Sequence, residues 1–135
     1  MAKWLFKTEP GDYSFDTLLK EGSCEWTGVK NAAARIHLRN CRIGDEVAIY
    51  HTGNEKRVVG LAGVTVDPHP EPGSEDKNSV AVGLKPLRRL PRPVTLQQFR
   101  SEPVFAGWDL LRNSRLSVMP VSGPMWKRLL ELGGK

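Results

Sequence analysis

The chain has 135 residues, 39% hydrophobic and 26% charged, an ordinary balance for one globular domain spanning 1–135. At this length folding buries roughly two-thirds of the unfolded surface, so no disulfide or metal staple is needed. No apolar run approaches the ~18 residues of a membrane helix. Lys7 and Glu9 interrupt any signal-like stretch, so a cytoplasmic, membrane-free protein is expected.

The net charge of +5 is unevenly placed: residues 1–83 carry 10 Lys/Arg against 12 Asp/Glu, and residues 84–135 carry 10 against 3. A polyanion would suit that basic half, because neutralised phosphates release counterions. A mildly basic surface without such a partner gives the same count.

In chain order, Lys3 to Lys7 reads as a buried strand, too short and too aromatic for a helix. Pro10-Gly11-Asp12 makes a turn. Ser14 then caps a helix from Phe15 to Lys20, which Gly22 ends. Asn31 caps a second helix, Ala32 to Leu38, on which Arg35 and Arg39 share a face. A turn over residues 42–46 leads to the strand Val47 to His51. Val58 to Val66 is the longest β-rich run, and Gly60 and Gly63 within it suggest a bulge or a close backbone approach.

Asp67 to Ser79 reads as a polar, proline-rich surface loop. Val80 to Leu84 resumes strand, and Leu87 to Pro93 is an extended basic stretch. Thr95 and Gln98 form a capping box for a helix to about Ser101. Ser114 to Val121 alternates as a strand should, and Ser122-Gly123-Pro124 opens a last helix, Met125 to Leu132. The sum is α+β: a curled mixed sheet or partial barrel with short helices at its rim.

Three segments are over-equipped for packing alone: Lys7-Thr8-Glu9-Pro10, Trp26-Thr27-Gly28-Val29-Lys30-Asn31, and Tyr50-His51-Thr52-Gly53. Together they offer a flat ring to stack on a base, backbone N–H groups near Gly28, and Asn and Thr side chains to read a base edge. Each also has a purely structural reading. Trp4, Phe6 and Phe15 suit a core, Lys7 and Glu9 a surface ion pair, Asn31 a helix cap, and His51 a buried hydrogen-bonded imidazole. Arg88, Arg89 and Arg92 make either a phosphate track or a solvated face.

Cys24 and Cys41 fit no metal-ligand spacing, so free thiols, no metal site and no cofactor are expected. No GxSxG, HExxH or Walker sequence occurs. A Cys24–His51 or Cys24–His37 pair, or paired carboxylates among Glu9, Glu25 and Asp45, would arise only through the fold. The expectation is therefore a binding module, not an enzyme.

Trp4-Leu5-Phe6-Lys7-Thr8-Glu9-Pro10 with Tyr13-Ser14 resembles the opening of the EVE domain family, where Ser usually stands at Thr8. Trp26-Thr27-Gly28-Val29-Lys30-Asn31 with Ala34-Arg35 is similar to its second motif, where Arg is common at Lys30. The segments 44–47, 50–52 and 59–62 resemble its central strands; 90–94 and 114–121 resemble its closing half. The likeness runs through essentially the whole chain and keeps at least six motifs in order.

It implies a PUA-like fold, related to YTH domains, which read methylated adenine in RNA, and SRA domains, which read modified cytosine in DNA. By that resemblance Trp26 is a wall of an aromatic cage. Lys7, Thr8 and Asn31 lie at its mouth or base edge near the Gly28-Val29 backbone, and Tyr50, His51 and Thr52 lie opposite. Arg112, Ser114, Arg115 and Ser117 are candidates for the pocket floor and phosphate contacts; Arg35, Arg39, Arg88, Arg89 and Arg92 are candidates for a phosphate track. Two departures stand out. Thr8 adds a methyl that narrows the site, and Val80 to Leu84 lacks the family's acidic–basic pattern, so no substrate contact is assigned there.

The resulting expectation is a monomeric module that flips a modified DNA or RNA base into an aromatic-walled pocket. Two rivals remain: a pocket for a free modified nucleotide or small metabolite, and an enzyme acting on modified nucleotides. Trp26→Ala is expected to abolish preference for the modified base with the fold intact.

Overall fold

The helix signals in the sequence are local hydrogen-bond devices, and in the computed structural model, which describes residues 1–134, each closes as its chemistry dictates. Ser14 accepts from the Thr17 N–H and caps α1 (Phe15–Glu21), and Gly22 ends it in the left-handed region at φ 79°. Asn31 Oδ1 accepts from the Ala34 N–H at 2.9 Å and caps α2 (Ala32–Arg39). Thr95 and Gln98 exchange bonds in a capping box for α3 (Leu96–Ser101). Ser122 caps α5 (Gly123–Leu132). Between α3 and α5 lie a 3-10 turn (Pro103–Phe105) and the short α4 (Asp109–Arg112), neither of which has a sequence signal. No helix among the described residues is long and apolar enough to cross a membrane.

Six strands form one mixed, curled and unclosed sheet: β1 (Lys3–Thr8), β2 (Cys24–Trp26), β3 (Glu46–His51), β4 (Arg57–Pro70), β5 (Val80–Thr95) and β6 (Val118–Pro120). The spatial order is β2-β5-β4-β3-β1-β6. Only β1 and β3 are parallel, with Lys7 opposite Tyr50 and Thr8 opposite His51; the other pairs are antiparallel.

Three sequence expectations need correction, and one strand was not foreseen. β4 continues to Pro70, so the surface loop shrinks to residues 71–79. Residues 80–95 form one strand, not a strand followed by a loose basic stretch. Its prolines Pro86, Pro91 and Pro93 are tolerated because β2 pairs only with Val82–Leu84, which leaves one side of β5 open beyond that point. The strand expected over 114–121 is confined to Val118–Pro120. Asn113 turns the preceding residues instead: its Oδ1 accepts from Arg115 N–H at 3.2 Å, and its carbonyl from Leu116 N–H. Finally, Cys24–Trp26 is strand, hidden in the sequence by the polar residues around the tryptophan.

Gly60 sits at a register shift between β4 and β5, where a Cβ would stand 2.4 Å from the Phe15 ring. Both halves of the glycine expectation, bulge and close approach, hold there. Phe6, Phe15, Leu18, Leu38 and Ile49 are fully buried between the sheet and helices α1 and α2. Phe99, Phe105 and Trp108 form a second aromatic knot under α5, anchored where the Trp108 indole donates to the Pro120 carbonyl at 3.1 Å.

Candidate nucleic-acid interface

The parallel pairing of β1 with β3 brings two strand ends to the same edge of the molecule, and the short β2 delivers a third. A cavity of about 260 Å³ opens there. This is many times the ~30 Å³ share of one water and suits a single flat heterocycle better than a drug-sized ligand. Lys7 and Thr8 come from the end of β1, Trp26 from β2, Gly28 and Val29 from the connection to α2, and Ser117 from the turn before β6.

Trp26 is 7% exposed. Its ring packs at 5.6 Å against Phe6, tilted, and at 5.9 Å against Tyr13, edge to face. Such pairs fix the indole plane and leave its remaining surface to the cavity. Tyr13 is held in turn by its hydroxyl, which donates to Glu21 at 2.7 Å; burial together with neighbouring Cys24 and Glu21 pushes that phenol far above its ordinary range.

The polar groups divide between scaffold and free edge. Thr8 Oγ1 donates to the Tyr13 carbonyl at 2.7 Å, so it meets a ligand only as an acceptor. The Thr27 and Ser117 side-chain hydroxyls line the cavity with no protein partner among the described residues. Burial lowers the pKa of Lys7, whose ammonium donates to the Ser114 carbonyl at 3.3 Å. Gly28, at φ +77°, would place a Cβ in open space, so glycine is required here by backbone conformation and not by crowding. Its N–H, expected to face a ligand, donates to Glu71 at 2.8 Å. The 71–79 loop thus straps the cavity edge.

Arg35 Nε donates to the Val29 carbonyl at 2.8 Å, and its Nη2 pairs with Asp76 at 2.8 Å; Arg39 donates to the Asn78 carbonyl. The two arginines do share a helix face, and that face grips the strap. His51 points elsewhere. Its Nε2 accepts from the Phe15 N–H at 3.0 Å, which places the ring proton on Nδ1, 2.9 Å from Glu55. It satisfies the first turn of α1 and does not line the cavity. The Asn31 side chain is occupied as the cap of α2 and does not line the cavity either.

Tyr50, Thr52, Arg112 and Ser114 line a separate cavity that shares Lys7 with the first. Arg115 is exposed nearby in sequence and lines neither. Arg88, Arg89 and Arg92 also lie outside both: Arg89 is ion-paired with Asp16 and stacked over Phe15, while Arg92 is exposed on β5. Sequence reasoning missed Tyr13 and Glu25 as cavity residues. Tyr13 was visible only as part of a motif, and Glu25 could be placed only by recognising β2.

The EVE domain matches residues 2–132 of this chain. The chain belongs to the EVE domain family. Among solved structures, the EVE fold here superposes on Rpa0253 from Rhodopseudomonas palustris with a TM-score of 0.92 at 37% identity, covering 99% of this chain and 94% of that one. Human THYN1, solved in complex with 5-methylcytosine-containing DNA, gives a TM-score of 0.91 at 22% identity over 100% of this chain and 99% of that one, a likeness of fold. The PUA-like, α+β architecture implied by the motifs is the one found.

Two curated relatives share sequence with this EVE domain. Protein C21.03c of Schizosaccharomyces pombe is 27% identical over 136 residues, 87% of this chain. Human thymocyte nuclear protein 1 is 30% identical over 91 residues, 58% of this chain. The matches span about half the length of these relatives, 57% and 40% respectively.

Proposed function

We propose that this EVE domain binds nucleic acid by drawing one modified base out of its stack and into the Trp26 cavity. The observation that carries the reading is the cavity itself: an aromatic wall, unpartnered hydroxyls, and a lysine at the boundary, gathered around a space of about 260 Å³ that has room for one base. The human relative's complex with 5-methylcytosine DNA supports DNA as the polymer and a methylated cytosine as the first base to test.

The energetics set what the cavity must do. Extruding a base costs a few kcal/mol, least from a single strand or a mismatch. Stacking on an aromatic ring returns about 1–3 kcal/mol. One buried methyl adds on the order of 0.8 kcal/mol, which alone gives only several-fold discrimination. Sharper choice needs the base edge to meet Thr27, Ser117 and Thr8, because a wrong edge leaves buried polar groups unpaired. No bond to the base need be made or broken. The domain acts as a reader, and a modified oligonucleotide should leave the incubation with its mass unchanged.

Fluorescence polarisation with matched oligonucleotides carrying cytosine or one 5-methylcytosine tests this. Tighter binding of the methylated strand is expected, with the largest gain where the base is unpaired. Equal affinity for every pair, across DNA and RNA, would contradict the reading for this base. A thermal-shift response to free modified nucleosides as large as to oligonucleotides would favour the small-ligand alternative.

A further inference from the structure

Tyr50 is 4% exposed on β3, and its hydroxyl has no hydrogen-bond partner among the described residues. No side-chain polar atom there is both sealed and unpartnered, so this hydroxyl opens onto free volume. That volume is the second cavity, about 360 Å³, which meets the first at Lys7.

Its lining gathers four cations from four places in the chain: Lys7 on β1, Lys56 before β4, Arg100 in the last turn of α3 and Arg112 in the last turn of α4. None of the four forms an ion pair among the described residues, whereas Arg35, Arg89 and Arg128 each hold a carboxylate. No acidic residue belongs to the lining. Glu9 stands at the edge, where its carboxylate takes the Thr52 hydroxyl at 3.3 Å. Helix ends favour cations, but α3 and α4 have six and four residues, so the dipole contribution is small.

Lys56 adds a separate sign of selection for position. It adopts φ +49°, the one left-handed non-glycine residue among those described, and its carbonyl accepts from the Leu96 N–H at 2.9 Å. Backbone strain of this kind persists where the surroundings hold it, commonly at ligand sites. Four unpaired like charges around one concavity repel each other, and an oxyanion reverses that repulsion.

The geometry points to this cavity as a phosphoryl-group site, with Arg100, Arg112, Lys56 and the Tyr50 hydroxyl as donors and Lys7 shared with the base cavity. Its role in polymer binding rests on the reading of the Trp26 cavity as a base site: the phosphate flanking the extruded base then reaches the second cavity. A free nucleotide would present the same chemistry.

The test uses the full chain and its Arg100→Gln variant, first confirmed to unfold at the wild-type temperature. Inorganic phosphate is titrated by NMR at fixed ionic strength against chloride. Separately, oligonucleotides with one 5-methylcytosine carry either a natural or a neutral methylphosphonate linkage beside it, and a nucleoside 5′-monophosphate is compared with its nucleoside. Expected are phosphate-dependent shifts at Tyr50, Lys56 and Arg100 that vanish in Arg100→Gln, and a methylphosphonate loss on the order of tenfold in the wild type alone. A monophosphate matching the oligonucleotide in affinity assigns the site to free nucleotides, and a much weaker one assigns it to the polymer backbone. Shifts no larger than with chloride, or an equal methylphosphonate loss in both proteins, overturn the site even if methylated DNA is preferred. Phosphate shifts without any base preference keep the site and overturn only the base reading.

Discussion

The two cavities that meet at Lys7 are built from opposite materials. The Trp26 cavity has an aromatic wall, free hydroxyls and acidic groups at its edge: Glu71 of the strap on the Gly28 N–H, and Glu25 of β2 paired to His69 at 2.8 Å. The Tyr50 cavity has cations and no carboxylate in its lining. A ligand with a flat, hydrogen-bonding end and an anionic end would satisfy both, and a nucleotide within a strand has that form. On the proposed reading, the contrast means that shape and edge are read in one place and charge is met in another.

The largest effect separating the two comes from Trp26. Because the indole is packed against Phe6 and Tyr13, Trp26→Ala should cost about 3–5 kcal/mol of folding stability, seen as a large fall in denaturant midpoint. This revises the expectation that the fold would survive that change intact. Trp26→Phe keeps most of the packing and is the variant in which to look for a lost preference between methylated and plain DNA. An unchanged midpoint in Trp26→Ala would show the packing account to be wrong.

Lys7→Gln comes next. Its ammonium belongs to both cavities, so affinity for methylated and plain strands should fall together, on the order of tenfold, with the salt dependence flattened by about one counterion. A loss confined to the methylated strand would place Lys7 wholly at the base edge.

The smallest effect concerns the end of β4, just before the strap. The bond from His69 Nδ1 to the Asp67 carbonyl at 2.7 Å raises the pKa of His69, and Glu25 raises it further. A raised folded pKa means that the contribution is fully present below the unfolded value of about 6.5 and is lost as pH rises through the folded one. Thermal unfolding between pH 5 and 8 should therefore show a slight extra loss toward alkaline pH in the wild type that His69→Gln lacks. Parallel pH profiles would dismiss the contact as energetically idle.

Much of this was legible in the sequence wherever the signal was local. Ser14, Asn31, Thr95 and Ser122 each announced a cap with its own side chain, and Gly60 announced a tight approach. Of the residues the resemblance put around one pocket, Trp26, Lys7, Thr8, Gly28, Val29 and Ser117 do line one cavity, whereas Tyr50 and Thr52 line its neighbour and Asn31 and His51 line neither. What the sequence hid was non-local. The conspicuous run Arg88, Arg89 and Arg92 has one member ion-paired within the chain and lines neither cavity. Of the cations that do converge, Lys7 and Arg112 were among the candidates, but Lys56 and Arg100 were not; the four are scattered over more than a hundred positions. The resemblance made His51 a ligand contact, but the other reading, a buried hydrogen-bonded imidazole, is the one found: adjacent strand residues face opposite ways, and the ring serves α1. Four-residue α4 and three-residue β2 were too short to carry a period.

The central claim is that a base leaves its stack and enters the space beside Trp26, and the most direct measurement places 2-aminopurine next to a single 5-methylcytosine in duplex DNA. Binding of the wild type should raise the 2-aminopurine fluorescence sharply as its neighbour is withdrawn, with a clearly smaller rise for Trp26→Phe and little for unmethylated DNA. Tight binding with no rise, or the same rise from both proteins, would mean that the DNA stays stacked or that the base goes elsewhere.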